Sequence, residues 1–130
     1  MALGFLLGWT MRPVPVVAPL ASVNENIGAV VHLMFDYGDG TLETERNIGY
    51  SDGATVFSIT NDVASKKNLT FKFDPPGDWG VFVRQIGARQ NGEQNRYWQY
   101  WVNHEQVQVS ADRAALQPND VVEWKFVKTQ

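Results

Sequence analysis

The run Tyr97-Trp98-Gln99-Tyr100-Trp101-Val102-Asn103 constrains the fold more than any other stretch of the chain. A β-strand sends successive side chains to opposite faces. Trp98, Tyr100 and Val102 therefore share one side, and Tyr97, Gln99 and Trp101 the other. Aromatic side chains bury large areas and favour pleated, half-buried surfaces, and here both faces carry them. One face can pack on a core. The other needs a second cover, a partner or a ligand, and is the first place to look for function.

The rest of the domain supplies a core for such a strand. Ala29 to Phe35 alternates as a strand, with Val31, Leu33 and Phe35 on one face and Val30, His32 and Met34 on the other. Asp36-Tyr37-Gly38-Asp39-Gly40 is rich in residues that tolerate positive φ and predicts a turn, with Thr41 to Ile48 returning as a polar edge strand. Val56, Ile59, Thr60 and Val63 fall on a 3.6-residue stripe, which predicts a helix near 55–66. Thr55 or Asp52 can cap its start, Lys66 and Lys67 suit its end, and Asn68 suits its stop. Leu69 to Phe73 alternates again. Asp74 to Asp78 holds two prolines and a glycine and is expected to be loop. Trp79 to Ile86, Gln106 to Ser110 and Val121 to Val127 read as further strands, with Asn103-His104 as a two-residue hairpin turn and a short helical turn over Ala111 to Leu116. The expected core is Val31, Leu33, Phe35, Val56, Ile59, Val63, Phe71, Trp98, Tyr100, Val102, Val122 and Trp124. A hairpin, one helix and then several strands make an α+β domain, its helix laid across a mixed or antiparallel sheet of about five strands.

Composition narrows the function classes. A chain of 130 residues suits one domain, here residues 27–130, and 44% apolar with 19% charged residues is ordinary globular usage. The net charge of −3 argues against general affinity for nucleic acid or anionic membrane. Cysteine is absent, which removes disulfides, iron–sulfur clusters, thiolate zinc sites and cysteine nucleophiles together. Residues 1–26 stand apart. Met1 to Ala21 carries only Arg12 as a charge, and Met1 to Trp9 is apolar throughout. Pro13, Pro15 and Pro19 interrupt it before it reaches spanning length. It reads as an export signal or membrane anchor, or as an arm docked on the domain or on a partner.

Five blocks resemble the transcobalamin C-terminal-like domain, a DUF4430-type, β-grasp-like extracytoplasmic module. They are Gly38-Asp39-Gly40; Gly53-Ala54-Thr55-Val56; Gly80-Val81-Phe82-Val83 with Ile86-Gly87; Trp98-Gln99-Tyr100-Trp101-Val102-Asn103; and Asn119-Asp120-Val121-Val122-Glu123-Trp124. The last two are the most specific. His104 stands where the family pattern has glycine after Asn103, and Asn119 where it has glycine before Asp120. In the transcobalamin relatives this module closes over a corrinoid held mainly by a separate helical domain, which these 130 residues do not contain. The resemblance therefore implies the fold more strongly than cobalamin binding.

The candidate binding residues are Tyr97, Gln99 and Trp101, with Arg84, Arg96 and Trp79 as neighbours. Flat aromatics flanked by amides and arginines can stack on sugars, bases or a macrocycle, or can anchor a protein interface. Arg84, Arg89 and Arg96 beside an aromatic run would also suit a single-stranded nucleic acid, but the acidic balance opposes that reading. His32 and His104 lack metal-ligand spacing, and Asp36, Asp39 and Asp52 lack a calcium-loop pattern. No serine has a nucleophile-elbow context, and no convergent set of titratable groups can be assembled. The expectation is a non-catalytic extracytoplasmic interaction module without cofactor or metal. It contacts a protein partner through the aromatic strand, with a glycan or cobalamin-like macrocycle as the alternative occupant of that face. Membrane contact is expected only through residues 1–21.

Overall fold

The computed structural model describes residues 29–128. The expectations for residues 1–26 therefore lie outside the described residues. The elements, in chain order, are β1 (Val30–Asp36), β2 (Leu42–Gly49), α1 (Val56–Lys66), β3 (Phe71–Gly77), β4 (Gly80–Ile86), β5 (Arg89–Gln90), β6 (Arg96–Val102), β7 (Glu105–Gln106) and β8 (Val121–Lys128). Short 3₁₀ turns cover Glu93–Asn95 and Ala111–Arg113. The class is α+β, as expected. The strands divide between a five-stranded sheet of order β2-β1-β8-β6-β7 and a separate three-stranded sheet of order β3-β4-β5.

The closing strand β8 lies in the middle of the larger sheet. It runs parallel to β1, pairing Leu33 with Val122 and Phe35 with Trp124, and antiparallel to β6, pairing Trp98 with Phe126 and Tyr100 with Trp124. The alternation in all three strands then points one way. Val31, Leu33, Phe35, Trp98, Tyr100, Val122, Trp124 and Phe126 are buried on one inner face. Cross-strand aromatic pairs hold β6 to β8, with ring centroids 5.1 Å apart for both Trp98–Phe126 and Tyr100–Trp124. The edge of Tyr37 meets Trp98 at 5.6 Å.

Helix α1 covers that inner face. Its start is a capping box in which Ser58 takes the usual Glu position. The Ser58 N–H donates to Thr55 Oγ1 at 3.2 Å, and the Thr55 N–H donates to Ser58 Oγ at 2.9 Å. Val56, Ile59, Thr60, Val63 and Ala64 are buried. Thr60 is fully buried, its hydroxyl donating to the Val56 carbonyl at 2.7 Å and accepting from the Trp124 indole N–H at 2.9 Å. One threonine thus pins the helix to the central strand. Asn68, at φ 57, ends the helix region as its sequence suggested.

Three expectations need correction. Asp74 to Gly77 belongs to β3 despite Pro75 and Pro76. The β3–β4 pairing skips from Asp74 opposite Phe82 to Gly77 opposite Gly80, so neither proline owes a ladder hydrogen bond. The strand expected over Gln106–Ser110 stops at Gln106. Beyond it the Tyr100 hydroxyl donates to the Val109 carbonyl at 2.6 Å and the Ser110 hydroxyl to the Val81 carbonyl at 2.8 Å, drawing the chain towards the smaller sheet. That approach is close: a Cβ on Gly80, at φ +91, would lie 2.5 Å from the Ser110 side chain. Phe71 and Val102, expected in the core, are half-buried at its margin.

Candidate functional site

The face of the five-stranded sheet away from α1 is uncovered among the described residues, and β6 presents Tyr97, Gln99 and Trp101 there. Register places their neighbours: Val127 opposite Tyr97, Lys125 opposite Gln99, and Glu123 opposite Trp101. Across β8, Val121 and Glu123 pair in turn with His32 and Met34 of β1. This outer face is neither bare nor sealed. Trp101, Gln99, Lys125, Val121, Val127, His32 and Met34 are half-buried, Tyr97 is just exposed, and Glu123 is buried. The Lys125 ammonium lies over the Trp101 ring, 4.8 Å from its centroid. The Gln106 amide donates to Gln99 Oε1, tying β7 to β6.

Two depressions flank the short edge strand β7. One of about 640 Å³ is lined by Gln99, Trp101, Gln106, Gln108, Lys125, Val127 and Lys128. The second, of about 320 Å³, shares Gln99, Gln106 and Gln108 with it and adds Trp79, Phe82 and Val109. The shared glutamines stand between the two depressions, with Trp101 lining the larger and Trp79 the smaller. Trp79 is 89% exposed at the β3–β4 turn, and Phe82 and Val109 beside it are also exposed.

Of the six expected binding residues, Tyr97, Gln99 and Trp101 share the outer face of β6, and Trp79 lines the smaller depression together with Gln99. Arg84 and Arg96 do not join them. Arg84 lies on β4 and pairs with Asp74 at 3.3 Å. Arg96 shares the side of Trp98 and donates to the Phe126 carbonyl at 3.3 Å, its guanidinium lying 3.1 Å from where a Cβ on Gly38 would sit. Arg89, the third of the basic group, pairs with Asp39 at 2.7 Å and Glu93 at 3.5 Å. The same alternation that put Trp101 outside put Arg96 inside, so proximity in sequence did not become a basic patch.

Sequence reasoning passed over Glu123, Lys125 and Met34, which complete the outer face. The signal was present in the alternation of Val121, Glu123, Lys125 and Val127 opposite the apolar Val122, Trp124 and Phe126. The hairpin tip also has a definite form. Asn103 and His104 both adopt positive φ, 52 and 72, the geometry of a two-residue turn matched to strand twist. Asn103 then buckles the turn to β8: its Nδ2 donates to Asp120 Oδ1, and its Oδ1 accepts from the Val121 N–H, both at 2.9 Å. Asp120 is buried and also accepts from the Gln117 N–H at 2.9 Å. This buckle is a physical reason for an Asn at the end of one block and an Asp at the start of the other.

Groups with displaced titration sit elsewhere, and each has a local cause. Burial and then a hydrogen bond to Glu43 push the Tyr37 hydroxyl up. Burial and nearby Asp112 push Tyr100 up to about 12. The Arg89 guanidinium and the Thr41 N–H hold Asp39 down at about 2, while the Ser110 hydroxyl and Val81 N–H lower Asp112. They serve turns and sheet junctions and do not converge on one point. Among the described residues no group of three or more His, Asp or Glu side chains is placed to hold a metal ion.

A family model described as a domain of unknown function, DUF4430, matches residues 53–128. The chain belongs to this family. The DUF4430 match spans four of the five blocks noted in the sequence and ends in β8; only Gly38-Asp39-Gly40 precedes it. No curated protein matches the chain. Among solved structures, a candidate metal-binding protein from Ruminococcus gnavus is similar at 18% identity and a TM-score of 0.60, over 78% of this chain and 99% of that one. Haptocorrin in complex with Cbi is similar at 15% identity and a TM-score of 0.65, over 81% of this chain and 27% of that one. At these identities the likeness is one of fold. It agrees with the transcobalamin C-terminal-like resemblance.

Proposed function

We propose that this DUF4430 domain is a non-catalytic interaction module that seats a protein partner on the outer face of its five-stranded sheet. The observation that carries the reading is Trp101, half-buried on a face no described residue covers, with Tyr97, Val127, Val121 and Met34 as further apolar surface. Aromatic and methionine side chains are enriched where partners dock, and tryptophan is a frequent energetic anchor. The non-catalytic part rests on the dispersal of the titratable groups with displaced pKa among the described residues. We further place the module in an extracytoplasmic or membrane-associated assembly, on the strength of the apolar residues 1–21 and the family resemblance. The finer architecture is β-grasp-like in this reading: a first hairpin, a crossing helix, and first and last strands paired in parallel at the sheet centre.

A second reading is favoured by the two depressions beside β7. Gln99, Gln106 and Gln108 offer amides, and Trp79 and Trp101 offer flat faces, a combination that suits a glycan or a cobalamin-like macrocycle. Haptocorrin with its bound Cbi supports the macrocycle arm through shared fold only. Mild purification from the source organism, followed by identification of what co-purifies, tests both. A stoichiometric protein supports the first reading and a chromophore or sugar the second. A clean monomer that carries neither contradicts both.

A further inference from the structure

Glu123 is the residue on the outer face that physical chemistry least expects there. It lies in the central strand β8 between Met34 of β1 and Trp101 of β6, and it is only 9% exposed. Its Oε1 is buried and, among the described residues, has no hydrogen-bond partner. A buried carboxylate without a donor destabilises a fold unless something else supplies the donor. Lys125 is two residues away on the same face, but its ammonium is over the Trp101 ring. His104 brings Nδ1 to 3.4 Å, well beyond the length of a charge-assisted hydrogen bond, from a side chain 81% exposed.

A cleft of about 410 Å³ opens beside this carboxylate, lined by His32, Met34, Thr44, Arg46, Val121 and Glu123 among others. A bulge shapes it. The β1–β2 register slips between Val31 and Leu33, and Asn47 takes φ 56 opposite His32. The Asn47 N–H donates to His32 Nδ1 at 3.1 Å, which holds the imidazole ring in place as one wall of the cleft. Met34 and Val121 provide apolar sides and Glu123 a carboxylate, while Glu45, also in the lining, is already paired with Lys67 at 3.2 Å. Arg46 stands exposed at the rim and makes no ion pair among the described residues. Apolar walls leading to a buried acid match a methylene stem that ends in a cation.

We infer that this cleft is a receptor for a basic side chain, lysine or arginine, presented by the protein partner that covers the outer face. The inference rests on the interaction reading above and names the chemistry of the contact. Leaving Glu123 Oε1 without a donor in the free domain keeps the site ready for that donor, at a cost in stability that binding removes.

The test uses the full chain and three small probes: Nα-acetyl-lysine N-methylamide, its arginine counterpart, and the neutral norleucine analogue. Binding is followed by NMR at the Met34 methyl group and the Trp101 indole N–H. The charged probes should give saturable shifts at Met34 and the norleucine probe none. Glu123→Gln should weaken the charged probes about tenfold or more. Equal response to lysine and norleucine probes, or unchanged binding by Glu123→Gln, overturns the proposal. So does a drop in melting temperature on Arg46→Ala that Glu123→Gln abolishes, since Arg46 would then already serve the carboxylate. If the partner fails to bind Trp101→Ala but binds Glu123→Gln as tightly as the parent protein, the interface stands and the basic-side-chain receptor falls. If the charged probes bind while neither substitution alters partner binding, the receptor chemistry holds and the outer-face interface falls.

Discussion

Trp98 and Trp101 lie three positions apart on one strand and should behave as different kinds of residue. Trp98 is buried, stacks near Phe126 and donates its indole N–H to the Arg89 carbonyl at 2.9 Å. Trp98→Ala should therefore cost about 3–5 kcal/mol, most of the stability of a small domain, and show as a large fall in melting temperature. Trp101 loses a cation–π contact and part of one apolar face, so Trp101→Ala should cost about 1 kcal/mol or less in the isolated domain. Alternation alone separated these two in the sequence. It did not reveal that Arg96 turns inward to the Phe126 carbonyl or that Glu123 is buried, because both depend on which strand lies alongside. A glutamate between apolar neighbours reads as solvated until its strand is known to be central.

At the scale of elements, α1 depends on two threonines with separate jobs. Thr55→Ala removes the acceptor for the Ser58 N–H and should cost about 1 kcal/mol. Thr60→Val keeps the volume but leaves the buried Trp124 indole N–H without its acceptor, and should cost about 1–3 kcal/mol. Denaturant melts of both variants, read against the parent, check the order. The helix and the strands β1, β6 and β8 were legible because each carries a clean period of 3.6 or 2, and β2 because a glycine-rich turn precedes a polar run suited to an edge. The start of β3 was legible in Leu69 to Phe73, but its end, Asp74 to Gly77, was not, since prolines forbid a central strand but not an edge strand whose pairing passes over them. The end of β7 was missed for the opposite reason. Gln106 to Ser110 alternates as a strand should, but bonds from Tyr100 and Ser110 carry the chain away from the ladder. The division into two sheets lies in pairings between distant segments, which periodicity does not record.

For the whole molecule, two buried tyrosines predict alkaline sensitivity. Tyr100 titrates near 12 in the folded state against an ordinary value near 10, and Tyr37 is displaced in the same direction. A raised phenol pKa means that the unfolded chain releases its proton first. Stability is thus fully present below pH about 10 and falls as pH rises towards 12. Melting curves across that window should show the decline, and Tyr100→Phe should flatten it; a parent protein whose stability is constant over this range would show that these phenols are not held as described. On the proposed function, the uncovered sheet face organised by Trp101 is where this domain meets its partner. The most direct measurement is a paired one on full-length protein expressed in the source organism, recording the melting temperature and the amount of co-purifying partner for Trp101→Ala beside the parent. Trp101→Ala should melt within a few degrees of the parent, by the roughly 4–8 °C per kcal/mol of a domain this size, and should lose most of the partner. Full retention of the partner by a folded Trp101→Ala protein, or unfolding as severe as that of Trp98→Ala, would contradict it.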